Sequence, residues 1–501
     1  MGEKYQALLS HLAEIRNVNR ALAVLGWDQQ VNMPPGGAKS RAAQIGTLSR
    51  IEHEMFISDE TARLLEEAGR EIEGMDYDSD EASMVRVVSQ DVQEKTCLPT
   101  ELVTKLAETE VIAHEVWAKA RANNDFASFA PVLEQMLELK REAVEHMGYE
   151  DHPYDALLGE YERGLTTRRV KEIFDAHKPD LVALIAAIRE RGATIDDSVL
   201  RLNYPPDQQR AFGEMVVKAY GYDFSSGRQD LSVHPFCTSF GQGDVRITTR
   251  FTPNFLNPGL FGTMHESGHA MYEQGVSPAL DGTLLSRGAS LGVHESQSRM
   301  WENTVGRSRN FWNWAFPQLQ QTFPTQLGST DVETFYKAIN KVQPSFIRVE
   351  ADEATYNLHI MLRFELEMEM ISGTVKVRDL PEEWNDRFEA FLGITPTSDT
   401  VGVLQDVHWS SGLLGYFPTY AIGNLLAAQY YRKALEAHPN IPDEIAAGRF
   451  DTLLGWMRTN IHQHGRKFTA EELTQRVTGE PIDCKYFMQY LYDKYTDIYA
   501  L

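Results

Sequence analysis

The sequence predicts a mainly α-helical fold: one large multi-helix unit over residues 1–501, with a small β-hairpin or sheet at 228–251. Three observations carry that expectation. Apolar residues recur at three- and four-residue spacing through most of the chain. Pro and Gly clusters punctuate the runs, as at MPPGG (33–37) and NYPPD (203–207). No Ser/Gly-rich linker, internal repeat or low-complexity segment divides them, which favours one unit over separate domains. At 501 residues and 42% hydrophobic, the chain can bury a large core.

Along the chain, YQALLSHLAEIRNVNRALAVLGW (5–27) is the first amphipathic run. Others follow at about 37–74, 80–95, 99–122, 126–147, 167–193 and 207–220. RQDLSVHPFCTSFGQGDVRITTRF (228–251) breaks the pattern, with two β-prone stretches, DLSVHPF and DVRITTRF, around SFGQGD. A strand here can hold another extended chain by main-chain hydrogen bonds. Helical periodicity resumes after 276, and 257–310 is expected to hold the metal-binding helices.

Composition narrows the function. Lys+Arg 48 against Asp+Glu 72 gives a net charge of −24, which repels nucleic acid and anionic membranes. Cys97, Cys237 and Cys484 are odd in number and far apart, so neither a disulfide framework nor a cysteine zinc site is expected. MGEKYQALLSHLAEIRNVNR has no apolar signal core, and no window approaches the ~18 apolar residues of a membrane span. A cytoplasmic location is the expectation. No glycine-rich phosphate loop follows a strand, so no nucleotide site is expected.

The chemistry centres on FGTMHESGHAMYEQG (261–275). It reads H-E-x-x-H, with His265, Glu266 and His269. Residues four apart share one helix face, so both imidazoles can reach a single ion. That pattern suits zinc, with Glu266 placed to take a proton from an activated water. Catalytic zinc needs a third protein ligand. A metzincin would continue with Gly and His at positions occupied here by Tyr272 and Gly275, which excludes that class. A carboxylate from the helical stretch LGVHESQSRMWENTVGRSRNFW (291–312) is the other common answer. Glu295 is the first choice and Glu302, two turns on, the fallback. His294 fits a substrate contact, or support of a ligand, better than ligation.

HESGH followed by HESQSR resembles the carboxypeptidase Taq family of metallocarboxypeptidases. HPF (234–236), DVRIT (244–248), IRVEAD (347–352) and GVLQDVHW (402–409) are similar to further motifs of that family, in order. The N-terminal third carries no such motif. The resemblance implies a helical, gluzincin-like fold with a deep central groove, and usually a homodimer. It implies zinc on His265, His269 and Glu295, with Co2+ or Mn2+ as conceivable substitutes, and Glu266 as catalytic base and acid. It further implies peptide substrates with a free C-terminus, shortened one residue at a time with broad side-chain tolerance. An oligoendopeptidase is the competing expectation.

The remaining candidates follow from that chemistry. The oxyanion needs a donor besides the metal. His408 and Tyr420 in QDVHWSSGLLGYFPTY are candidates, Tyr416 is an alternative, and Asp406 can orient His408. Arginine suits the substrate's terminal carboxylate. Arg348 is the first choice and Arg246 the second. Each can instead form an ion pair, Arg348 with Glu350, Asp352 or Glu353, and Arg246 with Asp244. His234 in HPF and the DVRIT segment are expected to shape or close the groove end.

Overall fold

The computed structural model describes residues 2–192 and 195–501. It is mainly helical, as expected. The periodic runs become helices Asp80–Thr96, Thr100–Asn123, Phe126–Met147, Thr167–Arg191 and Pro206–Tyr220. Residue 193, the expected end of one run, lies outside the described residues. The run at 37–74 is two helices, Ala38–Phe56 and Asp59–Glu71. Ser58 divides them, its hydroxyl accepting the Thr61 N–H and so capping the second helix.

The β element differs in detail from the expectation. Strand β1 is Gln229–Leu231, β2 is Cys237–Gly241 and β3 is Asp244–Thr249, in spatial order β1-β3-β2. The hairpin joins β2 to β3, and β1 adds in parallel on the other edge, with Gln229 opposite Ile247. DLSVHPF therefore supplies only a short edge strand. Pro235 has no N–H to offer a ladder. The segment is tied to β3 at Phe236, whose N–H donates to Thr248 Oγ1 (2.9 Å) and whose carbonyl accepts the Thr248 N–H (2.9 Å).

The sheet lies against the helix Leu256–Gly275, which carries HESGH and is called the motif helix below. The contact is polar and buried: the Gln229 amide donates to Thr249 Oγ1 (2.7 Å) and Thr263 Oγ1 (2.9 Å). The other flanks of the motif helix meet Pro206–Tyr220 and the helix Leu291–Arg299. Leu291–Arg299 in turn packs along Pro418–Ala437.

Two apolar clusters underlie this arrangement. The larger takes residues from Leu102 to Tyr499. The smaller joins the N-terminal helices, through Tyr5, Leu12, Phe56, Leu64 and Val88, to Val276, Leu280 and Leu285. Those last three lie on the connection between the motif helix and Leu291–Arg299, so the N-terminal helices pack directly on the chain linking the two.

Candidate metal centre

Two glycines set the helix spacing at the centre. A Cβ on Gly268 would fall 2.6 Å from Gln297 O and Ser298 Cα, so the motif helix and Leu291–Arg299 approach as only glycine allows. A Cβ on Gly423 would meet Glu295 Cγ at 2.5 Å, so Pro418–Ala437 supports the Glu295 side chain from behind.

In that setting His265, His269 and Glu295 come together, with ligand atoms all within 4.8 Å of one another. Glu295 Oε2 is 3.5 Å from both His265 Nε2 and His269 Nε2. The outer nitrogens are engaged elsewhere. His265 Nδ1–H donates to Glu302 Oε2 (2.9 Å). His269 Nδ1–H donates to His294 Nδ1 (2.6 Å), and His294 Nε2–H donates to Glu273 Oε1 (2.9 Å). Both Nε2 lone pairs are thereby aimed at the same point as the carboxylate. The donor set fits a divalent cation: two imidazoles and one carboxylate, leaving a corner open.

Glu302, the fallback ligand, is thus engaged with His265 instead. An unbroken α-helix would set it nearly above Glu295. The helix instead widens into a π-helical turn at Met300–Val305, which alters that phase. His294 lies between His269 and Glu273.

Charge around the group is balanced tightly. Burial alone would raise Glu295, but Arg299, His265 and His269 hold it well below the usual carboxylate range. Arg299 Nε donates to Glu295 Oε1 (2.7 Å) and Arg299 Nη1 to Glu302 Oε2 (3.2 Å). Burial likewise opposes Glu302, yet Arg299, His265 and Arg307 bring it to about 2. Glu266 differs. Only 6% exposed, it makes no hydrogen bond to any described residue, and burial pushes its carboxyl up to about 7 despite His265. A buried, unbonded carboxylate costs stability, and its place beside the metal group argues for chemistry over structure.

His408, Tyr420, Tyr416 and Arg348 form a second group. His408 Nε2 lies 3.4 Å from the Tyr420 hydroxyl, and the Tyr416 and Tyr420 rings are 5.2 Å apart. Burial raises both phenols, and both also feel the Glu295 charge. Burial lowers His408 to about 4 against the pull of Asp406, so its imidazole is neutral near pH 7. Asp406 Oδ1 lies 3.9 Å from His408 Nδ1. None of the expected partners takes Arg348. It donates to Asp406 Oδ1 (2.9 Å) and, through Nη1, to the Tyr356 hydroxyl (2.9 Å). Asp406 also receives Arg363 Nε (2.6 Å), so the Arg348–Asp406–Arg363 trio keeps one net positive charge.

The other candidates lie apart from these contacts. Arg246 forms a two-pronged pair with Asp244 at 2.7 Å and covers the Trp27 ring, linking the sheet to the first helix. His234 is exposed, and its imidazole has no hydrogen-bond partner among the described residues. Sequence reasoning missed Glu273, Arg299 and Tyr356. Glu273 carried a usable signal, since 265, 269 and 273 share one helix face. Tyr356 had none.

A helical fold carrying a His–His–carboxylate group beside an unbonded buried glutamate defines a metallopeptidase. The chain belongs to the carboxypeptidase Taq (M32) metallopeptidase family, whose sequence model matches residues 7–495, and it is a metallocarboxypeptidase. It is 41% identical to the thermostable carboxypeptidase 1 of Thermus thermophilus over 505 residues, covering 99% of each chain. It is 37% identical to carboxypeptidase 1 of Bacillus subtilis over 490 residues, covering 98% of this chain and 97% of the relative. Its backbone superposes on the M32 carboxypeptidase of Deinococcus radiodurans with a TM-score of 0.97 at 40% identity, covering 100% of both chains. The internal-cleavage alternative is not favoured by these relatives.

Proposed function

We propose that the chain is a zinc carboxypeptidase that releases single residues from the free C-termini of peptides, with broad side-chain tolerance. His265, His269 and Glu295 would hold the ion, and the two-imidazole, one-carboxylate set favours zinc over Co2+ or Mn2+. When bound, the cation supplies Lewis acidity to the scissile carbonyl and to a water molecule. Glu266 takes the proton from the attacking water and returns it to the leaving amine. His408 and Tyr420 donate toward the developing oxyanion, with Tyr416 packed alongside. Arg348, in a trio of net positive charge on the same side, attracts the terminal carboxylate. Arg246 serves the sheet, and His234 and its neighbours line the end of the peptide path. The whole chain works as one catalytic unit, as a cytoplasmic homodimer.

The observation that carries this reading is the shared 3.5 Å approach of both Nε2 atoms to one Glu295 oxygen. Family membership and the acidic surface support it, as does the lack, among the described residues, of a helix long and apolar enough to cross a membrane. The test is mass-spectrometric product analysis on matched free-acid and amidated peptides, with added zinc and with chelator. Stepwise loss of C-terminal residues from the free acids alone is expected. Equal internal cleavage of the amides would overturn the reading.

A further inference from the structure

The arginines near the metal group are nearly all engaged. Arg299, Arg348 and Arg363 pair with carboxylates, Arg466 binds both oxygens of Asp91, and Arg16 holds a backbone carbonyl. Arg287 is the exception. Its side chain is exposed and, among the described residues, makes no hydrogen bond, ion pair or ring contact.

Its backbone, by contrast, is clamped. Arg16 Nη2 donates to Ser286 O (3.1 Å) and the Arg466 N–H to Leu285 O (3.1 Å). The Gly288 N–H donates to Glu273 Oε1 (3.2 Å) and the Ala289 N–H to the Tyr272 hydroxyl (3.0 Å). A Cβ on Gly288 would fall 2.6 Å from His294 Cδ2. Arg287 therefore stands one residue from the His294 ring that backs His269.

Partial desolvation and the nearby Arg466 draw the guanidinium down to about 10; Arg16 adds to that pull, while Asp91 and Glu273 oppose it. A protein with a net charge of −24 has acids to spare, yet none is paired with this cation. An arginine held on a rigid strap without a partner suits a carboxylate brought by a ligand.

We propose that Arg287 is a specificity-determining residue that binds an acidic side chain, Asp or Glu, in the peptide being shortened. The inference rests on the peptidase reading above and deepens it. The terminal carboxylate is assigned to Arg348, and Arg287 reads a side chain of the same peptide.

The test uses full-length enzyme and free-acid peptides differing only by Glu or Gln at successive positions before the C-terminus, compared by kcat/KM. Wild type should prefer Glu at one position by about tenfold, as for a charge-assisted hydrogen bond. R287Q should erase that preference, R287E should reverse it and R287K should keep part of it, each with unchanged metal content and Tm. An unaltered Glu/Gln ratio at every position would overturn the proposal. So would a uniform loss on all peptides with lost free-acid over amide preference, because Arg287 would then read the terminus. Either result leaves wild-type C-terminal release intact, so it is distinct from failure of the peptidase reading.

Discussion

The two histidines of HESGH are supported differently. His265 is backed by one carboxylate, Glu302, which two arginines also hold. His269 is backed by a second imidazole and only then by a carboxylate, through His294 and Glu273. At His265 the pull of Glu295 and Glu302 outweighs burial, whereas at His269 burial wins and takes the imidazole down to about 4. The relayed arrangement trades basicity for reach. It ends on the Gly288 N–H and so ties the metal group to the strap that presents Arg287. One side fixes a ligand, whereas the other also reports to the substrate path and the N-terminal helices.

The largest expected effect removes the chemistry common to both sides. Glu266→Gln should lower kcat by about 10²–10⁴-fold with metal content unchanged, measured by steady-state kinetics and elemental analysis. Loss of the ion in this variant would make Glu266 a structural residue. Next comes the comparison itself. Glu302→Gln should weaken metal affinity by about 10- to 100-fold. Glu273→Gln should cost less, because its influence passes through His294. Competition with a fluorescent chelator ranks the two, and equal losses would dissolve the distinction drawn here.

Gly268→Ala tests the spacing on which both sides depend. The added methyl meets backbone, so overpacking should cost about 1–3 kcal/mol, read from the urea midpoint. The smallest effect near neutrality concerns His462, buried behind the relayed side with Nε2 2.9 Å from Gln297 Oε1. Burial, then Arg458 and His294, lower it to about 3. The unfolded chain, with an ordinary value near 6.5, takes up that proton first. The His462 contribution to stability should therefore be full above about pH 6.5 and fall by roughly a few kcal/mol toward pH 4. His462→Gln should flatten that slope.

Much of this was legible in the sequence, for physical reasons. Helical periodicity is local, so most helix bounds fell within a few residues of expectation. The i, i+4 histidines were readable because helix geometry fixes which residues share a face, and Glu295 was reached as a carboxylate on a later helical stretch and through the family resemblance. Pairing across space was not. DLSVHPF had the composition of a hairpin strand, but Pro235 turned the ladder over to CTSFG. Glu302 shared the phase of Glu295 until the π-helical turn moved it. Arg348 had three acids close in sequence, yet its partner Asp406 comes from a different segment.

The N-terminal helices carry no residue assigned to catalysis, but through Arg16 and the cluster at Val276, Leu280 and Leu285 they anchor the link between the two metal-bearing helices. Exchanging residues 3–96 for those of a relative would then act as a tuning dial. The chimaera would keep its hydrolytic centre while shifting its taste for acidic peptides, so selectivity could drift in evolution without touching HESGH.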